Sequence, residues 1–169
     1  YRQGVTAQSA LGGGALLELS HELDYARWLM GEAEEVSAFT ARLGVLDIDV
    51  EDTVEVSLRY SSGALGSVHL DMIRRTPLRY CSILGSDGSL TWDGLKRQTT
   101  IAAPGSDAPE MVHAGDTANH NAYQAELAHF LDCVADGSEP AVTGEDGLRA
   151  VQLVEAAKQA SRDGTTVRL

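Results

Sequence analysis

In the run GGGALLELSHELDYARWLMG, Gly12 to Gly31, one histidine stands among carboxylates and aromatics at helical spacing. At about 100° per residue, Glu18, His21, Glu22, Tyr25 and Trp28 fall on one face, and Leu16, Leu19, Leu23, Ala26 and Met30 on the other. The leucine face belongs in a core, and the opposite face has the make-up of a site wall. A histidine suits proton transfer, because an ordinary imidazole titrates at about 6.5 and so takes and returns a proton near neutrality. Glu18 or Glu22 would orient the ring or favour its protonated form. Gly12, Gly13 and Gly14 let backbone approach a ligand or another chain closely, and the helix start behind them offers N–H groups to an anion. Gly31 then stops the helix, where glycine takes a left-handed cap without strain.

Other chemistry-bearing residues are scattered. Arg74, Arg75 and Arg79 form the sole basic cluster, which a phosphate-bearing substrate would use, with simple pairing to excess carboxylates as the competing reading. His69 and Asp71 share the polar face of a strand, and His120 and Tyr123 open a late helix where a substrate could be reached. Tyr25 and Trp28 read as packing residues before stacking ones, and His113 and His129 as solvated surface. Several motifs fail. GGGALL would need glycine at position 17, which is Leu, to complete GxGxxG, and no strong strand precedes Gly12. HELDY begins like the zinc motif HExxH, but the residue four after His21 is Tyr25. GSDGS lacks the lysine of a phosphate loop, no serine sits in GxSxG, and the adjacent Ser20 and His21 point about 100° apart. Cys81 and Cys133 have no CxxC spacing and read as ordinary core thiols, with no metal site.

The elements that must hold the site are legible as patterns. Alternation marks strands over Glu35–Leu43, Thr53–Tyr60 and Ala64–Met72. Arg79–Leu84 and Ser89–Trp92 flank the Asp-Gly turn of GSDG, and Gln98–Ala102 adds another strand, for a sheet of at least five. Residues 103–118 read as a loop with one short edge strand. A packed helix runs from Asn119 to about Asp136-Gly137 with Tyr123, Leu127, Phe130, Leu131 and Val134 on one stripe. After Pro140 a last helix places Leu148, Val151, Val154 and Ala157 inside and ends at Asp163-Gly164, before a strand within Thr165–Leu169. Helices and strands segregated in this way give an α+β fold, a mostly antiparallel open sheet with helices packed on one face, and not regular βαβ alternation.

With 169 residues, 13 Lys plus Arg against 25 Asp plus Glu, and a formal charge of −12, the chain suits one domain with a substantial core and repels nucleic acid and anionic membranes. No run approaches the roughly 18 apolar residues of a membrane helix, and YRQGVTAQSA has no signal pattern, so a soluble, cytoplasmic protein is expected. The chain opens without Met, as a fragment of something longer would.

The Gly12–Gly31 run, the meander, the ILGSDGSLTWD hairpin and the ending NAYQAELAHFLDCVADGSEPAVTGEDGLRAVQLVEAAKQASRDGTTVRL, in this order, resemble the C-terminal domain of the Gfo/Idh/MocA oxidoreductases over nearly the whole chain. The resemblance implies that residues 1–169 are a single C-terminal substrate-binding and oligomerisation domain, with the N-terminal Rossmann cofactor domain absent from this chain. It implies a parent NAD(P)-dependent oxidoreductase acting on a sugar, cyclitol or nucleotide-sugar hydroxyl or keto group. NAD or NADP would bind the full-length protein, and neither would bind this fragment tightly. Of the family's catalytic pair only the histidine carries over, as His21, and Gly13 and Gly14 are expected to border the cofactor. The family commonly has an aspartate four residues before that histidine; here the position is Leu17, and Glu18, three before, shares the helix face. Glu18 is thus the expected partner of His21, with Glu22, Tyr25, Arg74, Arg75, His120 and Tyr123 as expected substrate contacts. The wording LLELSHELDY resembles a subgroup linked to surface-polysaccharide sugars. The second face of the sheet invites a homodimer or tetramer, the other expected partner being a small sugar-type substrate. The competing reading is a non-catalytic assembly or ligand-binding domain in which His21 is structural.

Overall fold

The computed structural model describes residues 1–44, 46–115 and 122–169, which form two compact units: Tyr1–Arg74 with Ala141–Leu169, and Arg75–Pro140. In the first unit, 3-10 turns at Val5–Ala7 and Ser9–Leu11 lead into α1 (Ala15–Glu18) and α2 (Ser20–Met30). The single helix expected over this run is therefore two. Leu19 leaves helical geometry at φ −108°, ψ 22°, next to a serine, a residue type that favours helix starts over interiors. Gly31 ends α2 at φ 87°, its N–H donating to the Arg27 carbonyl at 2.8 Å.

Strands β1 (Ala33–Ala41), β2 (Thr53–Tyr60), β3 (Leu65–Asp71) and β8 (Val167–Arg168) make an antiparallel sheet in the order β3-β2-β1-β8. In β2 the alternation is complete: Val54, Val56, Leu58 and Tyr60 are buried, and Glu55, Ser57 and Arg59 face solvent. The buried face packs against α4 (Gly144–Asp163), with Leu16 of α1 and Leu23 of α2 fully enclosed in the same core. The core side of α4 consists of Ala150, Leu153, Val154, Ala156, Ala157 and Ala160. Leu148 and Val151, expected inside, are half exposed; small alanines let the helix lie close to the sheet and so take the inner face. Between β1 and β2 the fully buried Asp52 accepts bonds from the Leu43 and Gly44 N–H groups (2.9 and 2.8 Å) and the Thr53 hydroxyl (2.8 Å). Burial pushes its carboxyl up, these donors pull it down, and the net result lies below the ordinary carboxylate value.

The second unit holds β4 (Tyr80–Gly85), β5 (Gly88–Asp93), β6 (Gln98–Ala102) and β7 (Glu110–Ala114), antiparallel in that spatial order, and α3 (Ala122–Asp136). The strands thus form two four-stranded sheets and not one continuous sheet, within the α+β class expected. Pro77, which has no N–H for a ladder, lies in the segment between them. Cys133 alone is buried among the described residues of this unit, and Tyr123, Leu127, Phe130, Leu131 and Val134 are 52–83% exposed. The stripe expected to be packed is therefore open: period 3.6 shows that a helix has an apolar face, and says nothing of whether that face finds a partner. No helix among the described residues is long and apolar enough to cross a membrane.

Candidate functional site

The side chain of His21 on α2 is 53% exposed, whereas that of Glu22 is 13% exposed, and His21 Nε2 lies 3.1 Å from Glu22 Oε1. A mostly buried carboxylate thus holds a solvent-facing ring, whose Nδ1 has no partner among the described residues. Glu18 departs from expectation. It closes α1 on the far side of the break at Leu19, is exposed, and leaves Glu22 as the carboxylate within ion-pair distance of the ring. Tyr25 is half-buried one turn after His21. Trp28, expected to pack, is 78% exposed.

Apolar packing and a mostly buried arginine hold α2. Leu23 is its one fully buried side chain. Four residues on, Arg27, only 11% exposed, donates from Nη1 to Glu32 Oε1 and from Nη2 to Asp146 Oδ1, both at 2.6 Å. Asp146 lies in the first turn of α4, and its other oxygen accepts from the Thr143 N–H and hydroxyl at 2.8 and 2.7 Å, closing a capping box. The Thr143 N–H and then the Arg27 guanidinium hold the Asp146 carboxyl far below the ordinary range, and the bond to Asp146 raises Arg27. Neither Arg27 nor Asp146 was expected from the sequence; GEDG at a helix entry signals the cap, but nothing signals its partner 119 residues away.

The glycine turn is closed by the chain itself. Gly13 and Gly14 are buried, and their N–H groups donate to Gln8 and Thr6 carbonyls at 3.0 and 3.1 Å. The Ala15 N–H donates to the Glu51 carbonyl at 3.0 Å and the Leu16 N–H to Glu51 Oε1 at 3.1 Å. A Cβ on Gly13 would run into the Val5 and Thr6 carbonyls, and one on Gly14 into the Glu51 carboxylate. The anion at this helix start is Glu51, a residue that the sequence pattern did not single out. Gly13 and Gly14, expected to border a cofactor, give their missing side-chain space to the chain's own backbone and to Glu51, and form no cradle for a dinucleotide. A cavity of about 570 Å³ beside the turn is lined by Gly13, Leu17, Thr40, Arg42, Glu51 and Lys158, and not by His21.

Of the basic cluster, Arg74 belongs to the first unit and Arg75 and Arg79 to the second. Arg74 donates from its N–H and Nε to the two oxygens of Asp71 (2.7 and 3.1 Å), so ion pairing prevails over an open phosphate site. Arg75 and Tyr123 are exposed and belong to the second unit, where the Arg79 guanidinium lies 5.3 Å from the Trp92 ring centroid. His120 lies outside the described residues. On the outer face of the first sheet, His69 is held by Glu55 through Nδ1 (2.6 Å) and by Asp71 through Nε2 (3.0 Å). His113 is exposed; Cys133 is buried with its sulfur 3.7 Å from His129 Nε2, Cys81 is half-buried, and neither cysteine forms a disulfide. Among the described residues no group of three His, Cys, Asp or Glu is placed to hold a metal ion.

Comparison with known proteins agrees with this architecture. The family described as "Oxidoreductase family, C-terminal alpha/beta domain" matches residues 3–169. Myo-inositol 2-dehydrogenase of Thermotoga maritima is 34% identical over 94% of this chain and 50% of its own length. The NAD(+) scyllo-inositol 2-dehydrogenase of Bacillus subtilis is 32% identical over 93% of this chain and 48% of its own. In the crystal structure of aldose-aldose oxidoreductase from Caulobacter crescentus, complexed with glycerol, 52% of the chain matches 100% of this one, with a TM-score of 0.86 and 27% identity. The chain spans about half the length of the relatives it matches. Its segregated helices and antiparallel sheets, its glycine turn and the His21 helix, with a family match over nearly every residue, place this chain in the Gfo/Idh/MocA oxidoreductase family, as the C-terminal alpha/beta domain.

Proposed function

We propose that the chain is the substrate-binding half of a two-domain NAD(P)-dependent dehydrogenase acting on a hydroxyl of a sugar or cyclitol, with His21 as the general acid/base. The observation that carries this reading is the Glu22-held imidazole of His21, presented to solvent on the helix that follows the closed glycine turn. Glu22 Oε1, 3.1 Å from Nε2, orients the ring, while Nδ1 is the nitrogen left to meet a substrate hydroxyl. A nicotinamide cofactor supplies hydride chemistry in such enzymes. The glycine turn of this chain has no cradle for it, so the reading assigns the cofactor to a Rossmann domain in the remaining half of the polypeptide. The substrate class rests on the inositol dehydrogenases at 34% and 32% identity, and a cytoplasmic enzyme that pairs through the open face of its first sheet completes the reading.

The test is an assay of the complete polypeptide with myo-inositol and scyllo-inositol, each with NAD+ and NADP+, in the natural sequence and in His21→Ala. General acid/base work by His21 predicts a loss in kcat of about 10²- to 10⁴-fold with the fold intact. An unchanged kcat in the variant leaves His21 structural and favours a non-catalytic assembly or ligand-binding domain.

A further inference from the structure

We infer that Arg27 is a positioning residue for the His21 helix: its buried bridge to Asp146 sets the roll of α2, and through it the place of the imidazole. The inference rests on the catalytic reading of His21. Helix α2 begins at Ser20 behind a break and has no side-chain cap on its first turn. Leu23 is its one fully enclosed side chain, and Met30, at the end of the helix, packs partly buried against the same core. To this apolar packing Arg27 adds a directional tie: it lies four residues and so about 40° round from Leu23, and its two terminal nitrogens are held at 2.6 Å by acceptors on separate segments, Glu32 beyond the helix end and Asp146 on α4. Its Nε is buried with no hydrogen-bond partner, so the bonds to Glu32 and Asp146 hold the side chain by its two terminal nitrogens, with Asp24 of the same helix a longer 3.7 Å from Nη2.

The consequence falls on the opposite side of the helix. His21 lies two residues before Leu23, about 200° round the axis, and six before Arg27. Side-chain tips stand roughly 5–6 Å from a helix axis, so a roll of about 15° carries the ring through roughly 1.5 Å. A catalytic group tolerates about 0.5 Å, and a misplacement of about 1 Å can cost roughly 10²-fold in rate. A guanidinium suits this task better than an ammonium because its planar fork fixes direction as well as distance. Asp146 is itself immobilised by the Thr143 cap, so the clamp refers the His21 helix to the start of α4, the longest helix of the described chain.

The experiment compares Arg27→Met, Arg27→Lys and Asp146→Asn with the natural sequence in the complete polypeptide, using NAD+ and whichever of myo-inositol and scyllo-inositol it oxidises faster. Asparagine keeps an oxygen for the Thr143 cap and removes the charge, so Asp146→Asn reads the clamp should Arg27→Met fail to fold. The expected result is a fall in kcat of about 10- to 100-fold with KM within about threefold, below the melting temperature, and partial recovery in Arg27→Lys. A kcat within about twofold of the natural enzyme in the folded variants, with turnover lost in His21→Ala, overturns the inference alone. Turnover retained in His21→Ala overturns the catalytic reading and this inference with it. A crystal structure of Asp146→Asn gives a readout independent of turnover. The His21 ring should be displaced by about 1 Å or more relative to β1, and an unmoved ring overturns the inference.

Discussion

An imidazole held on both sides by carboxylates is a cation's site, and His69 is in that position. Glu55 reaches it from β2, Asp71 from its own strand, and Arg74 ties Asp71 in place; Phe39 of β1, in register with Glu55, is uncharged. Neutral histidine has one N–H to donate, so loss of the proton breaks one of the two bonds and leaves a carboxylate against a lone pair. The bond to Glu55, ahead of that to Asp71, raises the pKa of His69 above its ordinary value. A raised folded pKa means that the contribution to stability is complete below about 6.5, the unfolded value, and is lost as pH rises through the folded value. With the His69 side chain 42% exposed, solvent screens the pairs and the gain is modest. NMR titration of the ring should place His69 above an ordinary histidine, and Glu55→Gln should bring it down. A ring that titrates no higher than a solvated imidazole would refute the clamp.

At the scale of elements, the glycine turn shows how closely a backbone can be required to approach itself. The N–H groups of Gly13 and Gly14 are spent on the 3-10 turns before them, and α1 is capped by Glu51 from the far end of the β1–β2 loop. Gly13→Ala would press a methyl group onto two backbone carbonyls, which cannot rotate away as a side chain would. Overpacking of this kind costs about 1–3 kcal/mol, so denaturant melts should show a loss in that range, and an unchanged midpoint would mean that the 3-10 segment moves freely. The same region shows what a sequence reveals and what it hides. The bounds of β2, Thr53–Tyr60, follow from alternation alone because one face is buried and the other wet. The end of α4 follows from Gly164, left-handed at φ 64°. The break at Leu19 is hidden, since one non-helical residue barely disturbs a 100° periodicity over so short a run. The partners Glu51 and Asp146 are hidden too: each is one acid among many, and only the fold brings them to Leu16 and Arg27, 35 and 119 residues away. The roles expected of Glu18 and Glu22 turned on that break, because an i, i+3 spacing counts only when both residues belong to one helix.

For the molecule as a whole, the open side of the first sheet is the feature that points outward. Ser37, Ser57 and Ser67 stand opposite one another on β1, β2 and β3, giving a flat row of small side chains across the exposed face. On either side lie the most exposed apolar residues of these strands, Phe39 at 79% and Leu65 at 70%. The charges of the face are already paired, Arg59 with Glu35, His69 with Glu55 and Asp71, Arg74 with Asp71, so the patch is nearly neutral in a chain of formal charge −12. A second copy could therefore lay its own sheet on this face at the roughly 10 Å spacing of packed sheets, and the main opposition would be long-range repulsion between two acidic bodies. That repulsion is screenable: between 0.01 and 0.1 M salt the Debye length falls from about 30 to about 10 Å. Sedimentation should accordingly show self-association that strengthens over this range, the reverse of what contacts held by ion pairs across an interface would give. Ser57→Glu places a charge at the centre of the row while leaving the buried face of β2 untouched. It should abolish the association with little change in melting temperature, and a variant that still pairs, or a natural sequence that stays monomeric at both salt concentrations, would remove this face as the site of assembly.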